Sequence, residues 1–171
     1  GGDAKGAVVT VPKLTGIPWF NRMEEGVELY AEDTGDDAYY QGSAEADAAA
    51  QVRVIEDLIA SGVAALCVTP FQPDAVEQVL AKAMDADIIV ITHEAPTIEN
   101  ADYDVEAFKN DEYGINLMDE LAKAMGEEGE YAQMVGSLSS TTHMEWVDAA
   151  KKHQEENYPN MKLVGDRVET S

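Results

Sequence analysis

The sequence predicts an α/β protein: a mainly parallel sheet with helices on both of its faces. Two observations carry this. Short β-branched runs alternate along the chain with amphipathic stretches of roughly 10–15 residues, the pattern of βαβ units. The strand-like runs also stop at sharp punctuation, as Val11 does before Pro12 and Thr69 before Pro70.

Each element can be justified in order. Ala7-Val8-Val9-Thr10-Val11 reads as a buried strand ended by Pro12. Pro18 suits a first helical turn, where its missing N–H is not needed. Phe20, Met23, Val27 and Tyr30 then form one apolar stripe, which predicts a helix over 18–32. Thr34-Gly35-Asp36 ends it, and Ala38-Tyr39-Tyr40 is a short strand. Ser43 or Ala44 opens a second helix, with Ala48, Val52, Ile55 and Ile59 turned inward and a stop at Ser61-Gly62. Strands over 63–69 and 87–92 bracket a helix that starts at Pro73-Asp74 and carries Val76, Val79, Leu80, Ala83 and Met84 inward. Residues 95–102 are irregular and 103–108 extended. A helix over 111–125 buries Leu117, Met118 and Leu121 and stops at Gly126. A strand over 131–135, a loop over 136–140, a helix over 142–157 and a strand over 161–164 complete the chain.

The 171 residues allow one ordinary domain or a piece of a larger one. Asp and Glu number 34 against 11 Lys and Arg, for a net charge of −23. That balance argues against binding a phosphate backbone, whose affinity comes from Lys and Arg, and against docking on anionic membranes. It reads either as a solubility device of an extracellular protein or as adaptation to salt. No stretch approaches the roughly 18–20 apolar residues that span a bilayer. The start at Gly1-Gly2-Asp3, without methionine, is consistent with a processed or trimmed chain. Cys67 is the single cysteine, which excludes an internal disulfide framework. Its place inside an apolar strand makes it a small hydrophobe.

In such folds ligands sit beyond the carboxyl ends of the strands, at a switch point in strand order. The predicted exit loops are 12–18, 41–43, 69–73, 92–96 and 136–142. The first holds Lys13 and leads into Trp19 and Phe20. It has neither a glycine triplet nor Gly-Lys-Ser/Thr, so a nucleotide-phosphate loop is rejected. Trp19 and Phe20 suit stacking on a sugar ring, and Lys13 can donate to hydroxyls or a carboxylate. Phe20 reads equally well as core. The second loop carries His93 and Glu94. Glu94 can accept from two ligand hydroxyls, while His93 reads as a capped or partly buried imidazole. The only histidines are His93, His143 and His153, and none has metal-ligand spacing, so neither a metal nor a cofactor is expected. The third loop, Gly136-Ser137-Leu138-Ser139-Ser140-Thr141-Thr142-His143, offers hydroxyls to a polar ligand and one N-cap among Ser140, Thr141 and Thr142. Nothing singles out a nucleophile, so no enzyme is predicted.

Several segments in order resemble the type I periplasmic sugar-binding proteins of ABC importers. They are Val11-Pro12-Lys13-Leu14-Thr15-Gly16-Ile17-Pro18-Trp19-Phe20, Tyr40-Gln41-Gly42-Ser43-Ala44-Glu45 and Gln51-Val52 with Val54-Ile55. Further along come Val68-Thr69-Pro70, Ile91-Thr92-His93-Glu94, Glu106-Ala107-Phe108-Lys109-Asn110 and Val135-Gly136-Ser137 with Glu145-Trp146. The resemblance covers essentially the whole chain and is strongest to the branch that binds autoinducer-2 or rhamnose. It implies two Rossmann-like lobes of parallel sheet flanked by helices, with a small polyhydroxylated ligand clamped between them. On that basis residues 1–102 form the first lobe, 103–110 a hinge crossover strand, and 111–171 the start of a second lobe that is incomplete here.

The resemblance further implies a secreted or lipid-anchored monomer outside the cytoplasm that delivers its ligand to a membrane permease. By position it assigns Lys13, Trp19 and Phe20 to first-lobe ligand contacts, Glu94 to the acid that grips sugar hydroxyls, and Thr142 and His143 to second-lobe contacts. Glu94 stands where Asp is more common, and Thr142-His143 departs from the pair expected of autoinducer-2 binders. Lys109 stands where many relatives carry Asp. The family chain is roughly twice as long and returns to complete its first lobe, so this sequence reads as a fragment. The alternative is the effector-sensing domain of a sugar-responsive transcription regulator, which would need a helix-turn-helix ahead of Ala7.

Overall fold

The computed structural model describes residues 6–170. Two compact units divide the chain between Glu106 and Ala107. The first unit is a five-stranded sheet of β1 (Val8–Val11), β2 (Ala38–Tyr40), β3 (Ala65–Val68), β4 (Ile89–Thr92) and β5 (Tyr103–Asp104) in the order β2-β1-β3-β4-β5. Every pairing is parallel, with Val9 opposite Tyr39 on one side and Leu66 on the other. The chain leaves β1 toward β2 and then crosses back to β3, so the order reverses at β1.

The helices of this unit are α1 (Pro18–Thr34), α2 (Ala48–Ser61) and α3 (Pro73–Asp85). Proline opens α1 and α3, and left-handed glycines, Gly35 and Gly62, close α1 and α2. Alternation along the strands splits the sheet into two faces. Val9, Val11, Leu66, Val68 and Val90 join Ile55, Leu58, Val76, Val79 and Leu80 in the main core, which α2 and α3 cover. Val8, Thr10, Cys67 and Ile91 point the other way and, with Met23, Val27 and Tyr30 of α1, line an apolar groove of about 460 Å³. Cys67 is therefore half-buried rather than enclosed, and burial still pushes its thiol up.

α2 departs from expectation in two ways. It starts at Ala48, because the Asp47 side chain accepts from Ala50 N at 2.6 Å and caps the helix there. Ser43 instead accepts from Glu45 N at 3.0 Å in a local turn. Its buried face is Ala50, Gln51, Ile55 and Leu58, whereas Ala48, Val52 and Ile59 are only partly covered. A polar residue, Gln51, lies on the inward stripe.

The second unit packs α4 (Asn110–Met125) against α5 (Thr141–Asn157). Its core joins Met118, Ala122, Tyr131, Ala150 and Met161. The strand expected over 131–135 is broken into β6 (Gly129–Tyr131) and β7 (Met134–Val135). β6 pairs with β8 (Met161–Leu163) and β7 with β9 (Val168–Glu169), a strand the sequence reading missed. The break lies where Gln133 turns inward to donate to Val147 O at 2.8 Å and accept from Arg167 Nε at 3.1 Å. Ser140 stands at the N-cap of α5, but its hydroxyl makes no cap bond and lies 3.5 Å from Thr142 Oγ1.

α4 approaches α5 tightly at Gly114, where an added Cβ would come within 2.2 Å of the Trp146 carbonyl oxygen. The obstacle is backbone, so it cannot rotate away. Gly114→Ala is expected to cost about 2–3 kcal/mol of stability, read as a lower urea midpoint, through forced separation of α4 and α5.

Candidate functional site

The carboxyl ends of β1 to β4 are tied to one another by specific bonds. Thr15 N, in the loop after β1, donates to Ser43 O at 2.8 Å, joining the exits of β1 and β2. Gly42 makes that approach feasible, since a Cβ there would meet Pro12 Cδ at 2.9 Å. His93 N donates to Val68 O at 3.0 Å, joining the exits of β3 and β4. The exits of β1 and β3 are joined by Gln51, only 2% exposed. Its Nε2 donates to Pro12 O at 2.8 Å and to Thr69 O at 2.9 Å, while Oε1 accepts from Phe71 N at 2.8 Å. One buried amide thus satisfies three backbone groups at the point where strand order reverses.

Lys13 and Glu94 meet on this platform. Lys13 Nζ donates to Glu94 Oε2 at 2.5 Å, with side-chain exposures of 14% and 10%. The pair bridges the exits of β1 and β4. Glu94 takes a left-handed backbone, φ +55°, which a residue with a side chain adopts at a cost. His93 sits beside it, Nε2 lying 3.8 Å from Glu94 Oε1 and Nδ1 donating to Val105 O at 2.6 Å. Both ions are therefore mostly out of water yet already neutralised by each other. The pair offers a charge-assisted donor and acceptor side by side, a combination suited to alcohol groups.

The aromatics after Lys13 divide. Trp19 is 58% exposed in the first turn of α1, whereas Phe20 is 3% exposed and packed inward, the core alternative of the sequence reading. Of the two rings, only that of Trp19 is exposed. In the second unit, Thr142 is buried in the first turn of α5 and His143 is half-buried, its ring 5.1 Å from that of Trp146. Trp146 also packs at a tilt against Phe108 and Tyr113 and donates to Asn110 Oδ1 at 2.7 Å. Among the described residues no cluster of His, Cys, Asp or Glu could hold a metal ion.

Sequence reasoning missed two residues beside Glu94. Asp104 Oδ1 accepts from Thr92 Oγ1 at 2.7 Å, and Glu106 lies next to it. Burial first, then the Asp104 carboxyl, pushes the Glu106 acid up to about 7. Asp104 carries no mark in the sequence and Glu106 appears there only within a matched segment; the pairing of β5 with β4 brings this stretch to the exit edge. Gln51 was visible only as part of a resemblance, since a glutamine interrupts an apolar stripe.

The first unit is a parallel α/β sheet with an ion pair across the exits of β1 and β4. The chain matches the periplasmic binding protein domain over residues 8–171, and it belongs to that family. It is 32% identical to a D-ribose/D-allose-binding protein of Pseudomonas aeruginosa over 90 residues, 51% of this chain and 28% of that protein. A solute-binding protein from Burkholderia graminis in complex with D-arabinose superposes with a TM-score of 0.83 and 27% identity, covering 98% of this chain and 57% of that one. LsrB from Clostridium saccharobutylicum in complex with AI-2 gives 0.86 and 26%, covering 95% of this chain and 53% of that one. The chain thus spans little more than half the length of these solved relatives. No helix among the described residues is long and apolar enough to cross a membrane.

Replacing Gln51 by Leu keeps the volume but leaves two carbonyls and one N–H unpaired. The expected loss is roughly 2–4 kcal/mol in urea unfolding, well above that of a surface Gln→Leu control.

Proposed function

We propose that the chain is part of an extracytoplasmic solute-binding protein of an ABC importer that takes a small neutral sugar or sugar-like ligand. The observation that carries this reading is the Lys13–Glu94 pair at the strand exits of a member of the periplasmic binding protein family, with the exposed Trp19 in the first turn of the helix that follows the Lys13 loop. In this reading Trp19 stacks on the ring, Glu94 accepts from two hydroxyls, and Lys13 donates to a third oxygen. Phe20 supports the first turn of α1 from below. From the second lobe His143 supplies a polar contact, and Thr142, buried in the first turn of α5, supports that turn. The receptor works without catalysis: the ligand binds the closed arrangement of two lobes more tightly and shifts the population toward it.

The lobe boundaries follow the same reading, with 1–102 as first lobe, 103–110 as hinge crossover and 111–171 as the start of the second lobe. The break between compact units at Glu106 and Ala107 falls inside that crossover. The apolar groove beside α1 is the surface that this reading leaves for the remainder of the first lobe. The relatives' names support ribose, arabinose and autoinducer-2 as ligands to try, and the resemblance adds rhamnose.

Residues 1–171 alone would lack later second-lobe contacts, so calorimetry with D-ribose, D-arabinose, L-rhamnose and autoinducer-2 should give only weak heats or none. Tight binding by this chain would show that the remaining length of the relatives is not required. In a full-length receptor, Glu94→Ala should weaken ligand binding roughly 10–100-fold, the worth of one or two charge-assisted bonds. Unchanged affinity would remove Glu94 from the site.

A further inference from the structure

Thr92, His93 and Glu94 follow one another at the exit of β4, and each side chain holds a different partner. The Thr92 hydroxyl donates to Asp104 Oδ1 at 2.7 Å. His93 Nδ1 donates to Val105 O at 2.6 Å. Glu94 accepts from Lys13 at 2.5 Å. The sugar-binding reading uses only the last of these. Asp104 and Val105 belong to the stretch that leaves the first unit after Glu106.

The bond from His93 stands where the ladder ends. β4 and β5 pair in parallel with Thr92 opposite Asp104, and Val105 N donates to Thr92 O at 2.8 Å. Parallel pairing in this register would next bring the Glu94 N–H to Val105 O. β4 stops at Thr92 instead, and Glu94 turns into the left-handed region at φ +55°. The imidazole supplies the donor that the backbone does not. A carbonyl cannot donate, so Nδ1 carries the proton, which in the neutral ring leaves Nε2 bare, 3.8 Å from Glu94 Oε1. The His93 N–H is held as well, donating to Val68 O at 3.0 Å. His93 is thus tied to β3 by its backbone and to the departing stretch by its ring, and Glu94 turns from that fixed point.

We propose that His93 is a positioning residue that couples the grip of Glu94 on Lys13 to the stretch that leaves the first unit. Drawing Val105 away from β4 releases the ring, relaxes the left-handed turn and loosens Glu94. Breaking the ion pair frees the same turn and weakens the hold on Val105. Such coupling is reciprocal. In a sugar receptor it gives an occupied Glu94 a route to the crossover. Its contacts all lie within the first unit, so it holds or fails independently of the ligand.

The test uses the 171-residue chain without ligand and three readouts: nitrogen NMR of the His93 ring, the rate at which acetic anhydride acylates Lys13, and the exchange protection of the Val105 amide. At about pH 8, above the range in which imidazoles usually titrate, the ring should carry its proton on Nδ1. His93→Leu should speed Lys13 acylation about tenfold, the worth of one hydrogen bond. His93→Asn, whose amide can donate from the place of Nδ1, should stay within about twofold of the wild type. Lys13→Met should lower Val105 protection about tenfold when His93 is present and leave it unchanged beside His93→Leu. A ring protonated on Nε2 alone, Lys13 acylation unmoved by His93→Leu, or an equal effect of Lys13→Met in both backgrounds overturns the proposal. Should His93→Leu not fold, the wild-type ring and the His93→Asn acylation rate still decide it, since a rate well above the wild type in His93→Asn also counts against the tie.

Discussion

The structure of the candidate site depends on one buried side-chain amide. A parallel sheet leaves the carbonyls and N–H groups at its strand exits without ladder partners, and buried ones must find others. Gln51 meets this demand for Pro12, Thr69 and Phe71 together. It does so from α2, the helix that also anchors the main core through Ile55 and Leu58. Core packing and site geometry are thereby coupled: α2 cannot shift without moving the loops after β1 and β3. Lys13 follows directly on Pro12, so the position of its ammonium rests on this tie.

The site chemistry follows from pairing inside a very acidic protein. With a net charge of −23, an isolated glutamate at the strand exits would add one more repulsive charge. Glu94 instead meets Lys13, and the two form a locally neutral donor–acceptor unit with little exposure to water. Neutral alcohols suit such a unit better than anions, which would have to compete with Glu94 for Lys13 in a negative field. The left-handed backbone of Glu94 is the local cost of aiming the carboxylate inward.

The alternation of strands and helices was legible because each element of the first unit has a strong local signal: β-branched strands, proline starts and glycine stops. Two of the failures share one cause, which is a polar side chain used inside. The α2 stripe was read one step out of phase because Gln51 does not look like core. The strand over 131–135 was read as continuous because Gln133 gives no sign of turning inward to Val147 and Arg167. The N-terminus of α2 was misplaced because Ser43 and Asp47 are both good caps, and only the turn at Glu45 decides between them. In the site, Lys13 and Glu94 could be read from their place after strands, whereas the place of Asp104 depends on the pairing of β5 with β4.

The central claim is that Gln51 and the Lys13–Glu94 pair act as one coupled unit rather than as separate contacts. A double-mutant cycle in urea, combining Gln51→Leu with Lys13→Met, measures this directly. The account predicts an interaction energy of about 1 kcal/mol or more, because once the loop after β1 is released the ion pair has little left to lose. Additivity within about 0.3–0.5 kcal/mol would contradict it, and would mean that Gln51 stabilises the sheet without positioning the site.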